Sequence, residues 1–410
     1  MIQPLERPHG GWVRWLVWPG VVALVSDWLL TSLSPQIQPD VAEYQSYAVA
    51  LWQHHQLPLE YPPLSIVAIA LPVASRAAYP FVFGAWMICF AALAYFLLRC
   101  KGAPWAGLAL MGYLVAGAWA TVLERFDIVP AAIVLGAYLA LRERRYRTAY
   151  LLLAVGTLVK VFPAFLVPLV IIDQYRSTGP TAPMERVGAV AVGIGLYVAV
   201  VGGGFALAVL MDPSHALGAF RYALSRPLEV ESGPATLLWL TCLFGQPVHG
   251  AFAYGAYNLI GGADRWLGAL GGVALVAGWA YSAVRFWRGS IDAGRAWIAT
   301  LCIVLLTGKV FSAQYLIWIA PLIALIEGLD LLWLLIALST TLVFPILFDH
   351  VEVELGGALL VYPWFLLAAI ALRNVLLVTA TLRELGLIRW ERFRTPRMFG
   401  AHQAVVTSAR

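Results

Sequence analysis

Charge is what this sequence has least of. Of its 410 residues, 12% are Asp, Glu, Lys or Arg, against roughly 25% in a soluble protein, while 61% are hydrophobic. A soluble core of that size would leave too few polar residues to cover its surface, so the surrounding medium is lipid. Cysteine is scarce as well. Cys89, Cys100, Cys242 and Cys302 lie far apart, within or at the ends of apolar segments and without ligand spacing. They are expected to be small buried hydrophobes rather than disulfides or metal ligands. The seven histidines show no metal spacing with carboxylates. The short basic loops contain no Gly-rich nucleotide motif. There is no internal repeat of transporter type, no low-complexity tract and no separate soluble domain. Unbroken apolar runs such as 187–210 also exclude the alternating strands of a membrane barrel.

What remains is a polytopic all-α membrane protein, a single integral domain over residues 1–410. A crossing takes about 20 apolar residues. The apolar segments 13–33, 77–98, 104–123, 127–141, 148–160, 162–175, 187–211, 266–287, 296–308, 313–327, 330–348 and 357–381 predict about twelve transmembrane helices. The first is too long for a signal-peptide core and lacks a clear cleavage site, so it is expected to stay as a span. Segment 62–75 is apolar but short and carries three prolines, and is expected to lie outside or to re-enter.

The net charge of +5 reflects topology rather than nucleic-acid binding, because the basic residues sit in short loops. With the N-terminus inside, inner positions hold 20 of the 27 Lys and Arg, counting Arg7, Arg14 and Arg373, and outer positions hold 7. The positive-inside rule then places both termini in the cytoplasm of a plasma-membrane protein, with the long segments 34–76 and 212–265 outside.

Four expected spans (127–141, 148–160, 162–175 and 296–308) have only 13–15 residues. At 1.5 Å per residue they reach about 20 Å, short of about 30 Å of hydrocarbon. Short helices leave a depression, here opening outward, and polar residues gather where they end. These are Glu124, Arg125 and Asp127, then Lys160, then Lys309, Ser312, Gln314 and Tyr315. A lone charge at mid-membrane costs at least about 2.5 kcal/mol, so Lys160 and Lys309 are not casual placements.

Three constellations bear on chemistry. Asp40, after the first span and ahead of the rigid turn Leu59-Glu60-Tyr61-Pro62-Pro63-Leu64, is placed to act as general base on an acceptor hydroxyl; otherwise it is a solvated loop carboxylate. Lys160, Lys309, Arg125, Arg221 and Arg226 suit a phosphate at the membrane surface, or else pair with Glu124, Asp127, Glu229 and Glu231. The run Arg226-Pro227-Leu228-Glu229-Val230-Glu231-Ser232-Gly233 either caps a helix or closes over a sugar. Gly268 and Gly272 form a small-xxx-small pair expected to pack helices. The largely apolar stretch 235–260 is expected at the interface.

Taken in order, Asp40, the Tyr61-Pro62-Pro63-Leu64 segment, Glu124-Arg125-Phe126-Asp127, Lys160-Val161-Phe162-Pro163, the run from Arg226 and Lys309-Val310-Phe311-Ser312-Ala313-Gln314-Tyr315 resemble a known family. It is that of the polyprenyl-phosphate-dependent glycosyltransferases of the GT-C fold, specifically glycosyltransferase family 87. That family includes actinobacterial α-1,2-mannosyltransferases of phosphatidylinositol mannoside synthesis and an arabinofuranosyltransferase. The resemblance covers about residues 38–320. It implies an inverting transfer outside the cytoplasmic membrane, with an outward-facing active-site cavity. The donor would be a polyprenyl-phosphate sugar, mannose ahead of arabinofuranose, and the acceptor a lipid-linked or glycan hydroxyl. Asp40 matches the first-loop Asp that acts as base or orients the acceptor. Lys160, Arg226 and Lys309 become donor-phosphate candidates. Tyr61, Glu124, Arg125, Asp127, Arg221, Glu231, Gln314 and Tyr315 become substrate-binding candidates. His350 is the nearest match to an outer-face His that some members use. No cofactor is expected, and no metal, since no second Asp stands beside Asp40. The competing reading is a transporter or flippase of lipid-linked sugars, which would place its polar residues near the midplane of pseudo-symmetric halves.

Overall fold

The computed structural model describes residues 22, 25–26, 39–70, 78–102, 105–177, 183–348, 352–353, 360–361 and 363–388. The first expected span lies almost wholly outside them. Two helices, α1 (Pro39–His54) and α2 (Ser65–Ala70), occupy the first expected outer segment. Then come α3 (Tyr79–Lys101), α4 (Ala106–Gly117), α5 (Ile128–Arg142), α6 (Tyr146–Val159), α7 (Val167–Ser177) and α8 (Pro183–Met211). In the second long segment lie α9 (Gly218–Ser225) and α10 (Gly233–Leu240). The chain ends with α11 (Asp264–Trp287), α12 (Ala293–Thr307), α13 (Leu316–Ile326), α14 (Leu331–Thr341) and α15 (Trp364–Glu384). Every other expected span falls on one of these helices. The protein is a multi-pass helical membrane protein, in which α3, α8, α11 and α15 are each long and apolar enough to cross alone.

The short helices are short for local reasons. α5, α6 and α12 have 15, 14 and 15 residues. α6 stops because Lys160 is extended (φ −156°, ψ 139°) and a 3-10 turn over Phe162–Leu166, with Pro163 near its start, replaces the next helical turn. α12 stops at Gly308, also extended, one residue before Lys309. The interrupted ends of α6 and α12 therefore carry the two lysines that break the apolar sequence.

The stretch 235–260 is not one interfacial segment. It holds α10, a 3-10 turn and a hairpin of β2 (Val248–Ala253) and β3 (Ala256–Gly261), closed through Tyr254 and Gly255 at positive φ (55° and 63°). Two consecutive left-handed residues are what a tight two-residue hairpin turn requires. With β1 (Leu228–Glu229), β4 (Glu352–Val353) and β5 (Leu360–Val361) the hairpin forms an antiparallel sheet in the order β1-β3-β2-β5-β4. This small sheet is the one departure from an all-helical chain among the described residues.

Small residues let helices approach closely where no hydrophobic force acts between them. On α8, Gly193 lies against the Tyr150 ring and Gly204 against Leu158, which seats α8 on α6. On α11, a Cβ on Gly271 would stand 2.5 Å from the Thr307 carbonyl, and on α10 a Cβ on Gly233 would stand 2.1 Å from the Leu306 carbonyl. These glycines hold α10 and α11 against the end of α12. Gly268 meets Lys309 and Leu228, whereas nothing lies within 4 Å of Gly272, so the packing pair is Gly268 and Gly271 rather than Gly268 and Gly272.

Three further expectations are corrected. Arg373, counted among the inner cations, does not reach the inner side: it is fully buried midway along α15. Arg383, another of the inner cations in that count, is not solvated: it lies buried at the end of α15, donating from Nη1 to both Asp330 oxygens at 2.9 Å. Of the four cysteines only Cys302 is buried, and the other three face outward.

Candidate active site

Asp40 lies in the first turn of α1, not in a loop, where a carboxylate complements the helix dipole. It forms an ion pair with Arg125, which comes from the turn between α4 and α5; both side chains stay partly exposed, at 31% and 22%. Tyr44, Tyr61 and Phe126 build the apolar wall behind the pair, with Tyr61 edge-on to Phe126 at 4.9 Å and Tyr44 to Phe126 at 5.5 Å. The Tyr61-Pro62-Pro63-Leu64 turn is fixed to α6, since the Leu64 N–H donates to the Leu158 carbonyl at 2.9 Å. That bond carries the first long segment to the end of α6 and hence to Lys160.

Lys160 has its charge met. Its Nζ lies 2.6 Å from Asp127 Oδ1, and Trp318 Nε1 donates to the same oxygen at 2.5 Å. Four rings surround the ammonium, those of Phe126, Tyr315, Trp318 and Tyr61, at 4.9, 5.1, 5.2 and 5.9 Å. Trp318 is itself stacked between Phe162 (4.2 Å) and Tyr315 (4.1 Å). Of the two alternatives for this lysine, the geometry shows the pairing with Asp127.

The second long segment joins the same end of the bundle. The Glu229 N–H donates to the Lys309 carbonyl at 2.9 Å, and the Ser312 hydroxyl donates to the buried Glu229 carboxylate. Lys309 Nζ donates to the Leu224 carbonyl at 3.1 Å and remains partly exposed. The Arg226 guanidinium sits over the Tyr222 ring at 5.4 Å, within electrostatic reach of Glu229, Tyr315 and Glu60. Gln314 is buried and Glu124 half-buried. Arg221 is exposed on α9 and takes no part in these contacts. Glu231 turns inward: Arg373 donates to its carboxylate at 2.5 Å and to its carbonyl at 2.7 Å, and stacks on Phe311 at 4.0 Å. Ser232 caps α10 by accepting from the Ala235 N–H at 3.1 Å, so this part of the run serves as a helix cap. His350 lies outside the described residues.

Several carboxylates here are shifted upward, Asp40 and Glu60 among them. Burial raises Asp40 above its ordinary 3.8; Arg125 opposes the shift and the charge of Asp127 adds to it. Burial pushes Glu60 up to about 7, opposed by a hydrogen bond from Tyr222 and by Arg226, and helped by the charges of Glu43 and Asp40. Among the described residues no three His, Cys, Asp or Glu side chains converge on a metal position. The sequence reading missed Glu60, Tyr222, Trp318 and Arg373 as partners of this end. Arg373 carried a usable signal, since a lone arginine inside an apolar span needs a partner. Trp318, three residues after Tyr315 on the next helix, carried none beyond its spacing.

No protein-family model matches the chain, and no curated protein matches it in sequence. Among solved structures it is similar to the crystal structure of ArnT from Cupriavidus metallidurans in the apo state, at 13% identity and a TM-score of 0.47, over 93% of this chain and 77% of that one. It is likewise similar to the crystal structure of ArnT from the same organism bound to undecaprenyl phosphate, at 14% identity and a TM-score of 0.47, over 92% of this chain and 77% of that one.

Proposed function

We propose that this protein is a GT-C-type membrane glycosyltransferase, taking a sugar from a polyprenyl-phosphate donor and passing it, with inversion, to a hydroxyl of a lipid-linked or glycan acceptor. The observation that carries the reading is one partly exposed carboxylate, Asp40, at the same end of the helix bundle as a set of cations. Inverting displacement needs two things on opposite sides of the anomeric carbon: a base on the acceptor hydroxyl and stabilisation of the departing phosphate. Asp40 accepts the hydroxyl proton as the new glycosidic C–O bond forms. The bond from the anomeric carbon to the phosphate oxygen breaks, and polyprenyl phosphate leaves with the electron pair. Arg226 and Lys309 receive that phosphate, because among the described ion pairs none holds either of them directly as Asp127 holds Lys160. Lys160 and Asp127 instead hold the aromatic wall behind Asp40 and Arg125. Raised basicity suits Asp40 to its part, since a base works best with a pKa near the operating pH.

From the family resemblance we take mannose as the first choice of sugar and arabinofuranose as the second, with the site facing away from the cytoplasm. The test is transfer by the purified protein from a panel of synthetic polyprenyl-phosphate sugars. Transfer from a nucleotide sugar without lipid carrier overturns the donor. Movement of intact lipid-linked sugar across vesicles, without transfer, establishes a flippase in its place.

A further inference from the structure

At the end of the bundle opposite Asp40, a cavity of about 560 Å³ opens between the C-terminal end of α7 and the connection from α11 to α12. Two cations and two anions line it: Arg176 and Arg295, Asp173 and Asp292. Each has a local anchor. Arg176 Nη1 donates to the Phe286 carbonyl at 2.7 Å, and Arg295 Nε lies 3.6 Å from Glu384. Asp173 accepts from the Tyr146 hydroxyl at 2.9 Å, and Asp292 accepts from the Arg295 N–H at 2.9 Å to cap α12. Among the described ion pairs, none joins either arginine to either aspartate.

Opposite charges that share a cavity without meeting are complementary to a ligand carrying both signs. The position says which kind. α7 and α11 end here, and Tyr175 stacks on the half-exposed Trp287 at 5.6 Å beside the cavity. Aromatic residues at the ends of spanning helices mark the level of lipid headgroups. Pockets of basic residues between helices at that level take headgroup phosphates, and the aspartates add a seat for an ammonium group. We propose that this cavity binds the headgroup of a zwitterionic, amine-bearing phospholipid, with its phosphate on Arg176 and Arg295 and its ammonium on Asp173 and Asp292. An anionic headgroup without an amine would leave both carboxylates facing the phosphate. A quaternary ammonium would have no N–H to donate to them.

The test is native mass spectrometry of the full-length protein, loaded with phosphatidylethanolamine, phosphatidylglycerol or phosphatidylcholine of matched chains. Phosphatidylethanolamine is expected to be retained roughly tenfold over both others, as two partly exposed charge pairs allow. The variant Asp173→Asn/Asp292→Asn keeps the acceptor for Tyr146 and the cap of α12, because Asn caps as well as Asp. It should fold and should reverse the order to favour phosphatidylglycerol. Arg176→Gln should lower retention of every phospholipid. Should the double variant fold poorly, Ser290→Glu, at an exposed position on the rim, should weaken retention of phosphatidylglycerol further and spare phosphatidylethanolamine. An unchanged lipid order in the Asp-to-Asn variant, no preference in the wild type, or equal occupancy by water-soluble phosphoethanolamine overturns the proposal.

Discussion

Asp40→Asn separates folding from chemistry. The substitution keeps the shape of the side chain and removes the basic oxygen, which for a general base costs about 10²–10⁴-fold in rate. Stability should not fall with it. Burial raises the pKa of Asp40, so the ionised form is the less favourable one in the folded protein. Its contribution to stability is therefore complete below pH 3.8 and is lost as pH rises through the raised value. A neutral isostere avoids that loss, and thermal unfolding at pH 7 should show a melting point at or above the wild type. Glu43→Gln, which loses only charge beside Tyr47, should keep most activity. Wild-type turnover in Asp40→Asn would remove the base assignment. In the active enzyme the rate should fall as pH drops through a value above 3.8, read from kcat/KM against pH.

The phosphate assignment has its own variants. Arg226→Ala and Lys309→Ala should weaken binding of a polyprenyl-phosphate sugar by about 2–5 kcal/mol if the charge pair is desolvated, measured by calorimetry in detergent. Arg147→Ala, in the first turn of α6 at the other end, should leave it nearly unchanged, and equal affinity in all three variants would make the outer cations structural. Glu60 gives a prediction that depends on pH alone. Its folded value is raised to about 7 from 4.5, so its contribution is complete below 4.5 and is lost as pH rises through 7. Glu60→Gln should therefore raise the melting temperature at pH 8 and leave it unchanged near pH 4.

Among the helices, the neighbouring glycines of α11 make opposite predictions. Gly271→Ala drives a methyl group toward a backbone carbonyl at 2.5 Å that no side-chain rotation can relieve. The cost of such overpacking is about 1–3 kcal/mol. Gly272→Ala meets nothing within 4 Å and gains helix propensity, up to about 1 kcal/mol. Thermal unfolding of the two variants should move in opposite directions; a common shift would mean that α11 does not rest on the end of α12. The same contact has a functional side, because the end of α12 leads into Lys309, and the Lys309 carbonyl receives the Glu229 N–H. Arg373 closes the assembly from α15: it binds the carboxylate and carbonyl of Glu231 and stacks on Phe311. A buried arginine of this kind stabilises little in net terms, since desolvation offsets the attraction, but removing one partner leaves a charge stranded.

Across the molecule, Asp40, Arg226 and Lys309 lie at one end of the bundle and Arg144, in the tight turn after α5, at the other. The basic asymmetry predicts which end faces the cytoplasm. With Arg373 set aside because it lies midway along α15, 19 inner Lys and Arg still stand against 7 outer ones. Single cysteines placed at 40, 226 and 309 in a background without the native cysteines should react with an impermeant thiol reagent in intact cells, and one at 144 only after permeabilisation. Labelling of residues 40 and 226 from opposite sides would break up the site.

The helical membrane class, the position of each described span and the short broken helices were legible in the amino-acid order, because lipid imposes one length and one polarity on every crossing and backbone polar groups must be satisfied within it. The lysines at 160 and 309 were legible for the same reason, as charges that interrupt apolar sequence. Their partners were not. Lys160 had Glu124, Asp127 and other acids to choose from, and only the meeting of α5, α6 and α13 brought Asp127 and Trp318 onto it. Arg373 was legible only as an inner cation within an apolar span until α15 placed it against Glu231, 142 residues away. Apolar periodicity records the medium each segment faces, which is a local property. Which charge meets which is settled by packing between segments distant in the chain, and among several acids of equal chemistry only that packing discriminates.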